Sequence, residues 1–259
     1  MYIFPQVSLL ITHYNRSESL SNLLHSYKKL NCSFGETVVS DDGSKVEHLD
    51  NLKLLQKEFG FKLITTPVNR GLGHNINKGQ DAVTKAYTLY VQEDFEPADT
   101  FAEKFSEALK LMDVNRNLDI VKFYAYYAYP YLKPFNNNYS EMYLPPFGVD
   151  FTKIYFYTDH PHLRRSIFFQ KFGRYPEGIK GDLTEYKMCI SFLQNKGQGL
   201  FYNDFSNLFL QKNSEEEPST MSRQSWKQEN GPIIKMVRYF YRQVKYNYDI
   251  RAQKPLKRV

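Results

Sequence analysis

Cysteine is almost absent from this chain. Cys32 and Cys189 stand far apart among 259 residues, so they offer neither a disulfide framework nor the paired spacing of a thiolate metal site. Long apolar runs are missing too. No stretch approaches the ~18 residues that cross a bilayer, and MYIFPQVSLLITHYN has no basic lead before its short apolar segment. That opening reads as a first strand, not a secretion signal, and the expected compartment is a reducing cytoplasm. Glycine is missing where a dinucleotide would need it. The first strand–helix turn is Thr12-His13-Tyr14-Asn15-Arg16, and without glycine the backbone cannot approach a pyrophosphate closely, which argues against nicotinamide or flavin chemistry. Acidic residues are scarce at one end only. From Trp226 to Val259 nine Lys or Arg face Glu229 and Asp249 alone, a local charge of +7 in a chain of net +6. The body is therefore nearly neutral, and no nucleic-acid partner is expected for it.

What is present is a soluble, globular composition, 42% hydrophobic and 24% charged, with 21 Tyr and 20 Phe. Most such rings fill a core, and some offer flat faces to sugars or bases. The first half alternates two periods. Strands are expected at Val7–Thr12, Thr37–Ser40, Lys62–Thr65, Tyr87–Gln92 and Ile120–Tyr126. Helices are expected from Ser17, at Leu49–Phe59, Gly73–Ala86 and Thr100–Met112. This βαβα order predicts an α/β fold, a mostly parallel sheet flanked by helices. Further on, Tyr127–Pro146 reads as a long ordered loop, Lys153–Thr158 as a strand, and Leu163–Phe172 and Thr184–Asn195 as helices. Residues 1–212 then form one catalytic-type domain, with halves 1–125 and 126–212. Residues 213–259 form a polar linker (Asn213–Ser225) and a basic, aromatic helix over Ile233–Tyr248.

Ligands of open α/β sheets bind beyond the carboxyl ends of the strands. There the chain places Thr12 to Arg16, Asp41-Asp42-Gly43-Ser44 and Gln92-Glu93-Asp94, an aromatic ring and several carboxylates on one edge. Asp-Gly sequences also make plain turns, but a central strand running into two carboxylates is costly to bury without a purpose. A phosphate ligand without a glycine cradle needs another counter-charge, which Mg²⁺ or Mn²⁺ on one or two carboxylates would supply.

Taken in order, VSLLITHYNR, VVSDDGS, NRGLGHNINKG and YVQEDFEP resemble the N-terminal half of glycosyltransferase family 2, over residues 5–125 and more weakly to about residue 200. The resemblance implies the GT-A, Rossmann-like fold of nucleotide-diphospho-sugar transferases. By position, Tyr14 and Asp42 match residues that bind the donor base, and Thr12 and Asn15 line the same pocket. Arg70 and Asn77 belong to the segment approaching ribose and phosphates, and Asp94 matches the metal-ligating aspartate that holds Mn²⁺ or Mg²⁺. Gln92 and Glu93 depart from the usual motif, Glu93 reaching toward the donor with a longer arm.

A direct displacement at the anomeric carbon needs a base for the acceptor hydroxyl, ordinarily a carboxylate. The segment GDLTEYKMCISF resembles the family stretch with that acid, and its apolar residues place Glu185 there, with Asp182 as the alternative. Either carboxylate would also favour a helix N-terminus. In YTDHPHLRRSIFFQKFG, His160 and His162 could touch the metal or the diphosphate, and Arg164 or Arg165 the leaving phosphate; singly, each reads as a packing or surface residue. The implied activity is an inverting, metal-dependent transfer of a sugar, from a UDP-sugar by expectation, to a glycan or lipid-linked acceptor in surface polysaccharide synthesis. The alternatives are a non-catalytic sugar-nucleotide-binding homologue and a nucleotidyltransferase. The basic helix with its apolar stripe is a candidate for an anionic membrane surface, peripheral on the inner face.

Overall fold

The computed structural model describes residues 1–146, 148–212 and 232–258. Its centre is a nine-stranded sheet ordered β3-β2-β1-β4-β9-β6-β10-β8-β7. The strands are β1 (Tyr2–His13), β2 (Cys32–Asp41), β3 (Lys62–Ile64), β4 (Tyr87–Gln92), β6 (Ile120–Lys122), β7 (Leu132–Pro134), β8 (Tyr139–Met142), β9 (His162–Arg165) and β10 (Gly199–Tyr202). β3, β2, β1 and β4 run parallel, as do β6 and β10. β9 enters antiparallel between β4 and β6. A separate two-stranded ribbon pairs β5 (Phe95–Pro97) with β11 (Phe209–Gln211).

Helices cover both faces because the strands are apolar on both. Leu9 and Ile11 point into one core with Leu20 and Leu24 of α1 (Ser17–Lys29), Leu52 and Leu55 of α2 (Val46–Phe59), and Phe101 and Phe105 of α4 (Phe101–Val114). Leu10, one residue out of phase, points into the other. That second core holds Ile76 of α3 (Leu72–Ala82), Phe168 and Phe172 of α5 (Phe168–Phe172), and Met188 and Phe192 of α6 (Gly181–Gln194). Phe172 and Phe192 stack at 4.5 Å. Burying each such side chain contributes roughly 1.5–3 kcal/mol.

Three expectations for the second half are corrected. The loop expected at Tyr127–Pro146 contains the β7–β8 hairpin, which completes the sheet edge against β10. Lys153–Thr158 is not a strand but lies largely in a 3₁₀ helix, Phe151–Phe156, opened by the Asp150 carboxylate accepting from Thr152 N–H. Leu163–Phe172 is not one helix: β9 comes first, then the five-residue α5. The apolar alternation of β9 is hidden by Arg164, which is fully buried. Its guanidinium donates to Gln80 and the Tyr157 hydroxyl, and it lies over the rings of Tyr90 and Phe168.

The expected linker at 213–225 lies outside the described residues. The basic helix is α7 (Pro232–Ala252), and it rests on the body. No helix among the described residues is long and apolar enough to cross a membrane.

Candidate active site

The carboxyl ends of β1, β2, β4 and β6 meet at one sheet edge, and the antiparallel β9 delivers its preceding residues, Asp159 to Pro161, to the same edge. The turn after β1 is stitched to the turn after β2. Asn15, at φ +54°, accepts Lys45 N–H at 2.8 Å, while its own N–H donates to Ser44 Oγ at 2.8 Å. Buried His13 bonds Asp41 through Nδ1 at 2.8 Å, and its Nε2 accepts Arg16 N–H at 3.2 Å, which fixes the Nδ1–H tautomer. Burial pushes the Asp41 carboxyl up, but hydrogen bonds from His13 and Ser44 outweigh it and the net shift is downward. Gly43 is needed as glycine: at φ +73° a Cβ would lie 2.4 Å from the Val68 carbonyl carbon.

Asp42 is nearly sealed and accepts the N–H groups of Arg70 (3.1 Å) and Gly71 (2.7 Å), with the His74 ring at 3.6 Å. Among the residues expected to meet the donor, Tyr14 is half-buried and Thr12 is buried with Oγ1 3.1 Å from the Tyr90 hydroxyl. Arg70 is exposed and its guanidinium pairs with Glu177 at 3.3 Å. Asn77 is turned elsewhere. Its amide bonds Tyr175 O, Tyr175 N–H and the Glu177 carboxylate at 2.9, 3.0 and 2.9 Å, pinning the segment after α5. Lys78 donates to Asp41 O at 2.5 Å, and its pKa is lowered by burial against the opposing pull of Asp42 and Asp41.

Glu93 and Asp94 are buried beside Arg16, at 3.8 and 3.1 Å. Asp94 Oδ2 also accepts Gln211 Nε2 at 2.9 Å, and Gln211 Oε1 accepts the Tyr126 hydroxyl at 2.9 Å. Asp94 Oδ1 is buried with no hydrogen-bond partner. Among the described residues no group of three or more His, Cys, Asp or Glu forms an ion cage. The donor set thus fits the mode in which Mg²⁺ or Mn²⁺ is held by one or two carboxylates and completed by substrate phosphates, with the free Asp94 oxygen as protein ligand. His162 is sealed between Tyr90 and Tyr157. His160 is boxed by Phe95, Tyr124 and Tyr126, and burial, then Lys122, pushes its pKa down to about 3.

On the acceptor side, Glu185 of α6 is half-buried and its Oε1 accepts Asp159 N–H at 3.2 Å. Burial raises its pKa, opposed by that N–H and by Lys122. Asp182 is exposed and accepts the next N–H, that of Leu183. Asp159 is buried, accepts the Tyr175 hydroxyl at 2.7 Å, and is pushed up to about 8 by burial first and the Glu185 charge second. Arg16, Gln211, Asp159 and Lys122 were not among the residues expected here. Arg16 stands in the turn after β1 and Asp159 in the YTDHPHLRR segment ahead of β9, while Gln211 and Lys122 arrive through pairings no local pattern announces.

The sequence model of glycosyl transferase family 2 matches residues 8–173. The chain belongs to glycosyl transferase family 2. Over 88 residues this family 2 chain is 27% identical to the poly-beta-1,6-N-acetyl-D-glucosamine synthase of Staphylococcus epidermidis, a match covering 34% of this chain and 21% of that protein. The fold is that of GT-A glycosyltransferases. S. aureus TarS 1–349 in complex with UDP-GlcNAc superposes with TM-score 0.62 at 15% identity, over 94% of this chain and 67% of that one. The mannosyltransferase PcManGT from Pyrobaculum calidifontis, in complex with GDP-Man and Mn²⁺, gives 0.52 at 12%, over 78% and 57%.

Proposed function

We propose that this family 2 chain transfers a sugar, with inversion, from a UDP-sugar to a hydroxyl of a glycan or lipid-linked saccharide acceptor in surface polysaccharide synthesis. It works in the cytoplasm, on the inner face of the membrane where such acceptors are held. The observation that carries the reading is the buried, unpartnered Asp94 Oδ1 at the sheet edge that also receives Asp42 and borders Glu185. Structural neighbours hold UDP-GlcNAc, UDP or GDP-Man with this fold, which supports a nucleotide-sugar donor.

Tyr14, Thr12, Asn15 and Asp42 receive the base, Arg70 and Glu93 face the ribose and phosphates, and Asp94 with Glu93 would hold Mn²⁺ or Mg²⁺. That ion supplies positive charge to the diphosphate leaving group. Asn77 serves the donor indirectly, by anchoring the segment that carries Glu177. The acceptor hydroxyl gives its proton to the Glu185 carboxylate, its oxygen bonds the anomeric carbon, and the bond to the diphosphate oxygen breaks with its electron pair leaving on UDP. Attack opposite the leaving group inverts that carbon. Asp182, exposed and bonded to the Leu183 N–H of its own helix turn, is the less suited base.

Thermal shift with UDP, GDP and dTDP, each with and without Mn²⁺, tests the donor, since a ligand stabilises the fold by its affinity. UDP with Mn²⁺ should raise Tm most, and Asp94→Ala should abolish the Mn²⁺ contribution. No shift with any nucleotide, together with no turnover of UDP-, GDP- or dTDP-sugars, would sink the proposal.

A further inference from the structure

Helix α7 keeps its most apolar face away from the body. It docks through the other side. The Tyr239 hydroxyl donates to Val149 O at 2.9 Å, Arg242 covers the Phe151 ring at 4.8 Å, Asn247 accepts from Lys153 Nζ at 2.7 Å, and Tyr246 packs on Tyr186 at 5.4 Å. With 3.6 residues per turn, the opposite arc carries Ile234, Val237, Tyr241, Val244 and Tyr248, with Phe240 at its margin. These side chains are 42–71% exposed. A contiguous apolar stripe of this kind marks an interaction surface.

The charge around the stripe selects its partner. Arg238 lies along one side, Arg251 closes the C-terminal end, and exposed Lys254 and Lys257 follow, while Lys245 is turned to the body, paired with Asp249 and lying over the Tyr186 ring at 4.5 Å. Across residues 232–258 eight Lys or Arg accompany Asp249 alone, while the body is near neutral. Pairing with a second copy would lay two basic rims side by side, because an isologous contact repeats the same patch. An anionic bilayer is complementary to both the stripe and its rim.

We propose that α7 is the docking helix for an anionic lipid surface, its apolar stripe entering the headgroup boundary and its basic rim lying on the phosphates. α7 rests on α6 through Tyr186, whose hydroxyl donates to Asp249, and through Gln194, which donates to Asp249 O at 3.4 Å and to Gln253 O, just past the helix, at 2.9 Å. The helix that carries Glu185 is thereby held next to the surface. The docking face stands on α7 alone; only its use, presenting a lipid-linked acceptor to Glu185, rests on the transferase reading.

Co-sedimentation of the full chain with vesicles of phosphatidylcholine, with and without phosphatidylglycerol, tests this, alongside the triple variant Val237→Ser, Tyr241→Ser, Val244→Ser. At about fivefold per basic residue brought to an anionic surface, phosphatidylglycerol should raise binding at least ~20-fold. The triple variant should lose about tenfold or more with Tm unchanged, since the three sites are exposed. No sedimentation of the wild type, or equal sedimentation of both proteins, overturns the proposal. So does a wild-type dimer in light scattering that the triple variant converts to monomer without any vesicle binding, which would assign the stripe to a second copy. The assay needs neither donor nor acceptor, so its failure leaves the transferase reading standing.

Discussion

Arg16 and Asp94 stand 3.1 Å apart, both side chains about 6% exposed. One follows β1 and the other follows β4, so the pair staples two strand ends across the candidate donor site. Breaking a buried pair by removing one partner leaves an uncompensated charge and costs about 3–5 kcal/mol. Arg16→Met should therefore destabilise by ~3 kcal/mol in urea unfolding, and adding Asp94→Asn should restore part of that loss. Strict additivity of the two losses would show that the contact carries no coupling.

Glu185 and Asp182 are separable by the same logic of environment. Glu185 is half-buried, oriented by Asp159 N–H and raised in pKa by burial, as suits a base working near neutral pH. Asp182 is exposed. Glu185→Gln should lower kcat by roughly 10²–10⁴ and leave UDP affinity by calorimetry unchanged. Asp182→Asn should change kcat less than about threefold. The reverse ranking would transfer the role to Asp182.

The first half of the fold and the strand-end carboxylates were legible because local pattern coincides there with tertiary fate. Apolar runs are buried strands, and their ends are the sheet edge. The second half was not, for two reasons. A buried Arg164 disguises β9, since its partners Gln80 and Tyr157 lie 84 and 7 residues away. The polar hairpin β7–β8 has one edge on β10 and shows no apolar run. At the site, Asp42 and Asp94 are set by the strands they end, whereas Gln211 reaches Asp94 only through the antiparallel pairing of β11 with β5. Asn77 carries a family motif, but its amide is engaged by Tyr175 and Glu177, which only the folded chain reveals.

Asp159 makes stability depend on pH. Its folded pKa, about 8, lies above the ordinary carboxyl value of ~3.9, so the fold binds this proton more tightly than the unfolded chain. The stabilisation is complete below the ordinary value and is lost as pH rises through 8. His160 and His162, depressed by burial, act oppositely, withdrawing stability as pH falls below ~6.5. Asp159→Asn removes only the first effect. Urea unfolding at pH 5, 7 and 9 should show the variant gaining on the wild type as pH rises. A pH-independent difference would mean that Asp159 is already ionised at neutral pH.

The basic tail is part of the body as well as a surface. After α7 the chain returns along α5 and α6, where Arg174 N–H donates to Lys257 O at 2.9 Å and Leu256 packs into the second core. Gly173 sits at φ +82°, and a Cβ there would lie 2.5 Å from Leu256 Cβ and 2.9 Å from its carbonyl carbon. Gly173→Ala must therefore displace the tail as well as strain its own backbone, which costs about 1–3 kcal/mol. Leu256→Ala, at a partly buried site, should cost roughly 1–2 kcal/mol, below the range for full burial. Each kcal/mol lowers Tm by about 2–4 °C in a domain of this size, so both variants fall within reach of a melting curve. Because the two residues touch, Gly173→Ala with Leu256→Gly should lose less than the sum of the single changes. If instead Gly173→Ala melts with the wild type, residues 253–258 are not seated on α5, and a chain cut after Ala252 should prove as stable as the intact protein.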